Sequence, residues 1–149
     1  AGIGCSLGGY HAESGVTLVC GAISTEQGHV MQAMDEANRA TVDALARGLT
    51  CAEVDTAALT PIRAAGFGEA IRHRIGHGMG VEGHEAPWLA PGDHTPAGPG
   101  MVFSCEPGIY RPGRDGWRTI DTLIVGDGAV EIASRFQSTH TIDRRVLPF

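Results

Sequence analysis

Two histidines and a glutamate stand in glycine- and proline-rich surroundings that are typical of a shaped site. His77 is central in residues 75–80 (IGHGMG), where the glycines let the backbone approach a ligand closely. His84 follows seven residues later in GHEAP, and Glu106 lies 22 residues further on in CEPG, at the end of an apolar stretch. Imidazole and carboxylate groups held in one pocket can move protons near neutral pH or bind a metal ion. Each residue alone means little, because a histidine flanked by glycines is more often structural than a ligand, and only the ordered set favours a chemical role.

His11 and Glu13 form a second candidate pair, in the segment GYHAE. Side chains two positions apart on a β-strand point to the same face, so we predict that both reach one space. For His11, a contact with substrate and a structural hydrogen bond are equally open interpretations. A carboxylate placed beside a histidine shifts the pKa values of both groups, and acid/base chemistry near neutral pH needs such shifted pKa values.

The elements that must position these residues begin with a strand predicted over residues 9–21. Val16, Leu18 and Cys20 alternate there, which predicts that they face a core. Two helices follow, each opened by a capping box, one from Ser24 to Gly48 and one from Thr50 to a stop at Gly66. The second helix contains Pro61, which is expected to kink it. The first helix carries residues at helical spacing, which are Val30, Met34, Ala37, Thr41 and Leu45.

From residue 67 onward, short β-prone pieces alternate with Gly and Pro. Strands are predicted in IRHRIGHGMG, MVFSCEPGIY, WRTIDTLIV and AVEIAS, and residues 86–100 are interpreted as a Pro-rich loop. A strand, two helices and several further strands form an α+β order, which differs from the regular alternation of a parallel sheet. Alternation also turns Cys105 away from Glu106, which predicts a core thiol rather than a nucleophile.

Composition and charge exclude several classes of protein. The 149 residues carry a formal charge of −6, and the eleven cationic residues, all arginine, form no basic stripe, so no nucleic-acid partner is expected. No run approaches the ~18 apolar residues that a bilayer crossing needs, so no membrane association is expected. Four scattered cysteines without disulfide or zinc spacing favour reduced thiols and a cytoplasmic location.

Four segments, taken in order, resemble the pita-bread hydrolases: methionine aminopeptidases, Xaa-Pro aminopeptidases, Xaa-Pro dipeptidases and creatinase. The segments are GYHAE, GHGMGVEGHEAP, GMVFSCEPGIY and WRTIDTLIV, and the second and third are most similar to the Xaa-Pro-cleaving members. The resemblance implies a curved antiparallel sheet with helices on its outer face. Residues 1–149 are then expected to form the later part of an incomplete catalytic domain whose N-terminal part is missing.

The resemblance also implies five metal-binding positions around two divalent cations. Glu13, His77 and Glu106 match three of these positions and are expected to surround one cation, whereas Gly2 and Ile120 fall on the other two and have no donor atom. Hard carboxylates with one imidazole suit Mn, Co, Fe or Zn, so we expect one divalent metal or none. Asp121 follows Ile120, but only a bulge or a register slip would turn it into the site.

The resemblance also implies catalytic roles for individual residues. His84 corresponds to the histidine that stabilises the oxyanion and contacts substrate, and His77 and Glu106 are further catalytic candidates. Three hypotheses remain: a metal-assisted Xaa-Pro peptidase acting on small peptides, a metal-independent creatinase-like C–N hydrolase, and a non-catalytic peptide-binding relative. A homodimer is expected for the full-length protein.

Overall fold

The computed structural model describes residues 1–134 and 142–148. Within them, two helices lie side by side and pack against antiparallel strands, as the α+β order predicts. The apolar core lies between helices and sheet and includes Met34, Ile62 and Phe103, all of which are buried. None of the described helices combines the length and the apolar composition that a bilayer crossing requires.

Both helices begin where the sequence predicts. Helix α1 spans Thr25–Ala46 and α2 spans Cys51–Ala64, and each has a complete capping box, formed by Ser24 with Gln27 and by Thr50 with Glu53. The residues at helical spacing in α1 are buried, and α2 continues through Pro61. Their apolar faces pack on each other and on the sheet, which stabilises them more than propensity alone does.

The strands, in chain order, are β1 (Gly2–Leu7), β2 (Tyr10–Gly15), β3 (Val19–Cys20), β4 (Gly76–Gly78), β5 (Glu85–Leu89), β6 (Val102–Cys105), β7 (Gly108–Arg111), β8 (Asp115–Arg118), β9 (Asp121–Val125), β10 (Val130–Ile132) and β11 (Val146–Leu147). The central antiparallel sheet has the order β10-β9-β6-β4-β5. Two hairpins, β1–β2 and β7–β8, flank it, and β11 pairs in parallel with β3.

The single strand predicted over residues 9–21 is wrong in its extent. Strand β2 ends at Gly15, where its backbone bridges Ile120, and β3 begins only at Val19 to pair with β11. Val19 is buried, whereas Leu18 and Cys20 are exposed and Val16 is only half-buried. Each half of the segment takes its own distant partner, and the break between them shifts the alternation by one residue.

The Pro-rich loop predicted over residues 86–100 is also partly wrong, because its start belongs to β5. This strand lies at the edge of the sheet, and its pairing with β4 shifts between Gly78↔Glu85 and His77↔Trp88. Pro87 falls within this bulge, where the ladder does not require an amide donor. An edge bulge thus accommodates a proline that would break a central strand.

Candidate active site

His77 lies in the centre of the sheet, on β4 between β5 and β6, and is fully buried. Its cross-strand partners are Ser104 and Trp88, so these three side chains share the face opposite the helices. Nδ1 donates a hydrogen bond to the carbonyl oxygen of Gly78 at 2.9 Å. With Nδ1 bound to this carbonyl, Nε2 points into the site, where it carries a proton in the imidazolium and a lone pair in the neutral ring.

Glu106 follows β6 directly and is 7% exposed. Its amide donates to the carbonyl of Ile75 at 2.7 Å, which ties the EPG segment to the strand before His77. One carboxylate oxygen, Oε1, lies 3.2 Å from Nε2 of His77, and the other accepts a hydrogen bond from Nη2 of Arg118. The carboxylate is therefore shared between an imidazole and a guanidinium.

Glu13 reaches the same imidazole from hairpin β1–β2. Its backbone is anchored to β9, since its amide donates to Oγ1 of Thr122 at 3.0 Å and its carbonyl accepts from that hydroxyl at 2.7 Å. Its Oε1 lies 3.4 Å from Nε2 of His77, with the side chain 19% exposed. Carboxylates from two separate strands thus converge on one nitrogen.

The charges of these three groups are coupled. Although burial disfavours the imidazolium, the carboxylates of Glu106 and Glu13 raise the pKa of His77 to about 9. The contact with His77 lowers the pKa of Glu13 against a smaller opposing effect of burial. For Glu106, burial pushes the pKa up, but His77 and Arg118 bring it below its ordinary value. Both carboxylates are ionised near neutral pH and require positive charge between them.

His84 lies at the open side of this group. Its ring stacks on His77 with centroids 3.9 Å apart and planes inclined by 26°, and its side chain is exposed. One donor atom each of His77, His84 and Glu106 lies within 4.8 Å of the others. The structure therefore brings together His84, His77, Glu106 and Glu13, which are spread over residues 13 to 106 of the sequence.

His11 takes a different place. It is exposed, its amide donates to the carbonyl of Gly80 at 2.8 Å, and its Nδ1 donates to the same oxygen at 3.3 Å. Its ring also lies near Gly83, next to His84 in the chain. His11 thus holds the loop that carries His84, and its contact with substrate stays a prediction.

The donor set fits one cation. Oε1 of Glu13 and Nε2 of His77 are buried and make no well-aligned hydrogen bond with any residue that the structure describes, although they face each other and Glu106. Unpaired polar atoms in such a site are costly unless a proton or a cation lies between them. Two carboxylate oxygens and a neutral imidazole are ligands that Mn, Co, Fe and Zn accept.

The resemblance places two further metal-binding positions at Gly2 and Ile120, and neither residue carries a donor atom. Gly2 offers no side chain, and the side chain of Ile120 lies against Gly2 and Gly15. Asp121 does not replace them, since it pairs with Cys105 in register and shares its face, towards α1. There burial raises the pKa of Asp121 to about 7, with Asp35 and Arg145 close enough to act on it.

The prediction for Cys105 agrees with the structure. The thiol is 1% exposed on the helix side of the sheet, and it contacts Asn38 of α1 at 3.5 Å. Burial raises its pKa to about 12, which suppresses the thiolate.

Sequence reasoning missed Arg118, Tyr110 and His73. Arg118 pairs with Glu106, the ring of Tyr110 lies over Gly108, and the phenol hydroxyl is 2.8 Å from Nε2 of His73. Burial raises the pKa of Tyr110, partly offset by the adjacent Arg118. The available signals were the tyrosine within EPGIY and the arginine two residues before Ile120.

The sequence profile of metallopeptidase family M24 matches residues 1–127. The chain belongs to this family. It is 41% identical over 125 residues to the probable dipeptidase PepE of Mycobacterium tuberculosis, covering 83% of this chain and 33% of that protein. It is 38% identical over 123 residues to the Xaa-Pro dipeptidase of Lactobacillus helveticus, covering 83% and 33%.

The structural likeness to the M24 family agrees with the sequence. The crystal structure of dipeptidase PepE from Mycobacterium ulcerans superposes with a TM-score of 0.87 at 37% identity, over 95% of this chain and 37% of that one. The predicted family and fold are confirmed. The chain spans about a third of the length of these M24 relatives.

Proposed function

We propose that this M24 chain carries the catalytic side chains of a hydrolase that cleaves an amide C–N bond in small peptides of the Xaa-Pro type. The observation that carries the proposal is the convergence of the Glu13 and Glu106 carboxylates on Nε2 of His77, beside the exposed ring of His84. The similarity to proteins named as Xaa-Pro dipeptidases supports the substrate class. A homodimer and a cytoplasmic location stay predictions.

The position of each side chain in the site indicates a different catalytic role. The carboxylates of Glu13 and Glu106 are ionised and can accept a proton from an attacking water. A divalent cation held by Glu13, His77 and Glu106 would supply Lewis-acid charge for the amide carbonyl and the water. His84 lies on the open side, where an N–H can donate to the oxygen that becomes negative during attack.

Hydrolysis tests the proposal directly. The intact natural protein is stripped by dialysis against chelator, and release of the amino acid from Xaa-Pro dipeptides is measured with and without Mn²⁺ or Co²⁺. We expect turnover that depends on the added cation. Absence of turnover with every Xaa-Pro dipeptide, in a protein that is folded and loaded with cation, contradicts the proposal.

Replacement of His84 separates its role from folding. We expect His84→Ala to lower kcat by about 100-fold or more, the usual effect of losing one oxyanion donor. Stability should change little, because the ring is exposed. His29→Ala, at an exposed position on α1, is the matched control and should leave kcat unchanged. Equal rates for the two variants would remove His84 from the chemistry.

A second candidate is a metal-independent C–N hydrolase of the creatinase kind. It is favoured by the loss of donors at Gly2 and Ile120 and by the pairing of Arg118 with Glu106, which neutralises a carboxylate without a cation. Activity that persists in excess chelator and disappears in His84→Ala would support it. Loss of all activity in chelator, restored by Mn²⁺, would decide for the metal-assisted reaction.

A further inference from the structure

Three residues on neighbouring strands form an apolar plug beside Glu13: Gly2 on β1, Gly15 on β2, and Ile120 just before β9. Gly2 and Gly15 are cross-strand partners, and Gly15 and Ile120 exchange backbone hydrogen bonds of 2.9 and 2.8 Å. Cross-strand partners share a face, and so do residues two apart on one strand. The plug therefore lies on the face of the hairpin that carries Glu13.

Contacts within the plug are close. A Cβ on Gly15 would lie 2.8 Å from Cδ1 and 2.9 Å from Cγ1 of Ile120, and a Cβ on Gly2 would lie 3.4 Å from the same Cδ1. Ile120 is 9% exposed, so its branched side chain fills the space above both glycines. Hydrocarbon at this point offers no ligand and displaces the water that would hydrate a cation.

Charge at the site agrees with the packing. The second oxygen of Glu106 is already bound by the guanidinium of Arg118, which precedes Ile120 by two residues. A second dication here would face this fixed positive charge and the first cation, with only the carboxylates of Glu13 and Glu106 to offset them. The packing of Ile120 and the charge of Arg118 thus both disfavour a second cation at this point.

We propose that Ile120, seated on Gly2 and Gly15, closes the second cation position of the family site, so that this protein binds one divalent cation per chain at Glu13, His77 and Glu106. The inference rests on the proposed function only in placing a cation at that site. It adds the stoichiometry and the residues that set it.

The test counts Mn²⁺ bound by the intact natural protein after chelator treatment, using equilibrium dialysis and electron paramagnetic resonance. We expect one ion per chain and the spectrum of an isolated ion. The double variant Gly2→Asp/Ile120→Glu restores both donors and should bind two ions per chain with an exchange-coupled spectrum. The control Ile3→Asp/Leu147→Glu adds the same two carboxylates at exposed positions and should stay at one.

Each outcome decides the proposal. Two ions or a coupled spectrum in the natural protein overturns it, as does the absence of any bound ion. A folded Gly2→Asp/Ile120→Glu variant that still binds one ion overturns the role of the plug. Should this variant fail to fold by circular dichroism, the count and spectrum of the natural protein decide alone. Dipeptide hydrolysis on the same samples is independent: one bound ion without turnover refutes the proposed function and leaves the plug standing.

Discussion

Glu106 and Asp121 show how the face of a strand decides the chemistry of a carboxyl group. Glu106 lies on the site side, where His77 and Arg118 hold its pKa below the ordinary value despite burial. Asp121 lies on the helix side, is 5% exposed, and has a carboxylate oxygen that finds no hydrogen-bond partner in residues 1–134 and 142–148. Burial raises its pKa to about 7. Two similar groups thus differ in charge near neutral pH.

The raised pKa of Asp121 makes the folded state sensitive to pH. Between about 4 and 7 the folded protein binds a proton that the unfolded chain has released, so this residue makes stability fall as pH rises through that window. Asp121→Asn should abolish this dependence. It should match the natural protein near pH 4 and exceed it above pH 7 by up to roughly 4 kcal/mol.

Urea unfolding of the intact protein between pH 5 and pH 8 measures the effect of Asp121→Asn. Asp127→Asn, on the exposed turn before β10, is the control and should keep the natural pH dependence. An Asn variant of Asp121 with the same decline as the natural protein would show that this carboxyl group titrates normally.

Strand β4 is only three residues long, yet it places His77, and two glycines make this possible. A Cβ on Gly76 would lie 1.9 Å from the carbonyl oxygen of Ser104, and one on Gly78 would lie 2.8 Å from the carbonyl oxygens of Glu85 and Ala86. The glycines therefore let β5 and β6 close on β4 from both sides. The two glycines of the GHG motif are therefore a packing requirement.

Gly76→Ala should accordingly destabilise the protein by about 2 kcal/mol or more, as overpacking does. It should also weaken Mn²⁺ binding, because His77 moves with the strand. Gly28→Ala in α1 is the control, since no atom of the described part of the chain lies within 4 Å of the added carbon. There we expect stabilisation by about 0.5–1 kcal/mol. Thermal unfolding and Mn²⁺ titration of both variants check the contrast, and equal stability of the two would contradict it.

At the scale of the whole molecule, α1 holds both the sheet and the last described segment. Arg145 is 2% exposed and donates from Nη2 to Asp35 of α1 at 2.6 Å. The following strand β11 pairs with β3, where the amide of Gly21 donates to the carbonyl of Leu147 at 2.9 Å. An ion pair between buried Arg145 and half-buried Asp35 thus anchors the segment that completes this edge.

Arg145→Met keeps much of the buried hydrocarbon and removes the charge. We expect the amide of Gly21 to exchange its hydrogen at least tenfold faster, because β11 loses its anchor, while amides of α2 keep their protection. Hydrogen exchange on the intact protein measures this. Arg39→Met, exposed on α1, should leave Gly21 unchanged. Unaltered exchange in Arg145→Met would mean that backbone pairing alone holds β11.

Local signals in the sequence determined much of this molecule. The capping boxes at Ser24 and Thr50 set where the helices begin, because a cap is satisfied within four residues. The alternation of side chains along a strand predicted that Cys105 faces the core. The motifs, taken in order, identified Glu13, His77, His84 and Glu106 as candidate site residues. Each motif is a short run of neighbouring residues, so it can be read without knowing how the intervening chain folds.

Only the tertiary structure decided the features that depend on distant pairing. The break between β2 and β3 follows from the bridge of Gly15 to Ile120 and from the partner strand β11, which lie more than 100 residues away. The place of Pro87 in a strand required the edge position of β5. The pairing of Glu106 with Arg118 and the packing of Ile120 on Gly2 and Gly15 arise where side chains from separate strands meet, and a linear pattern does not encode that contact.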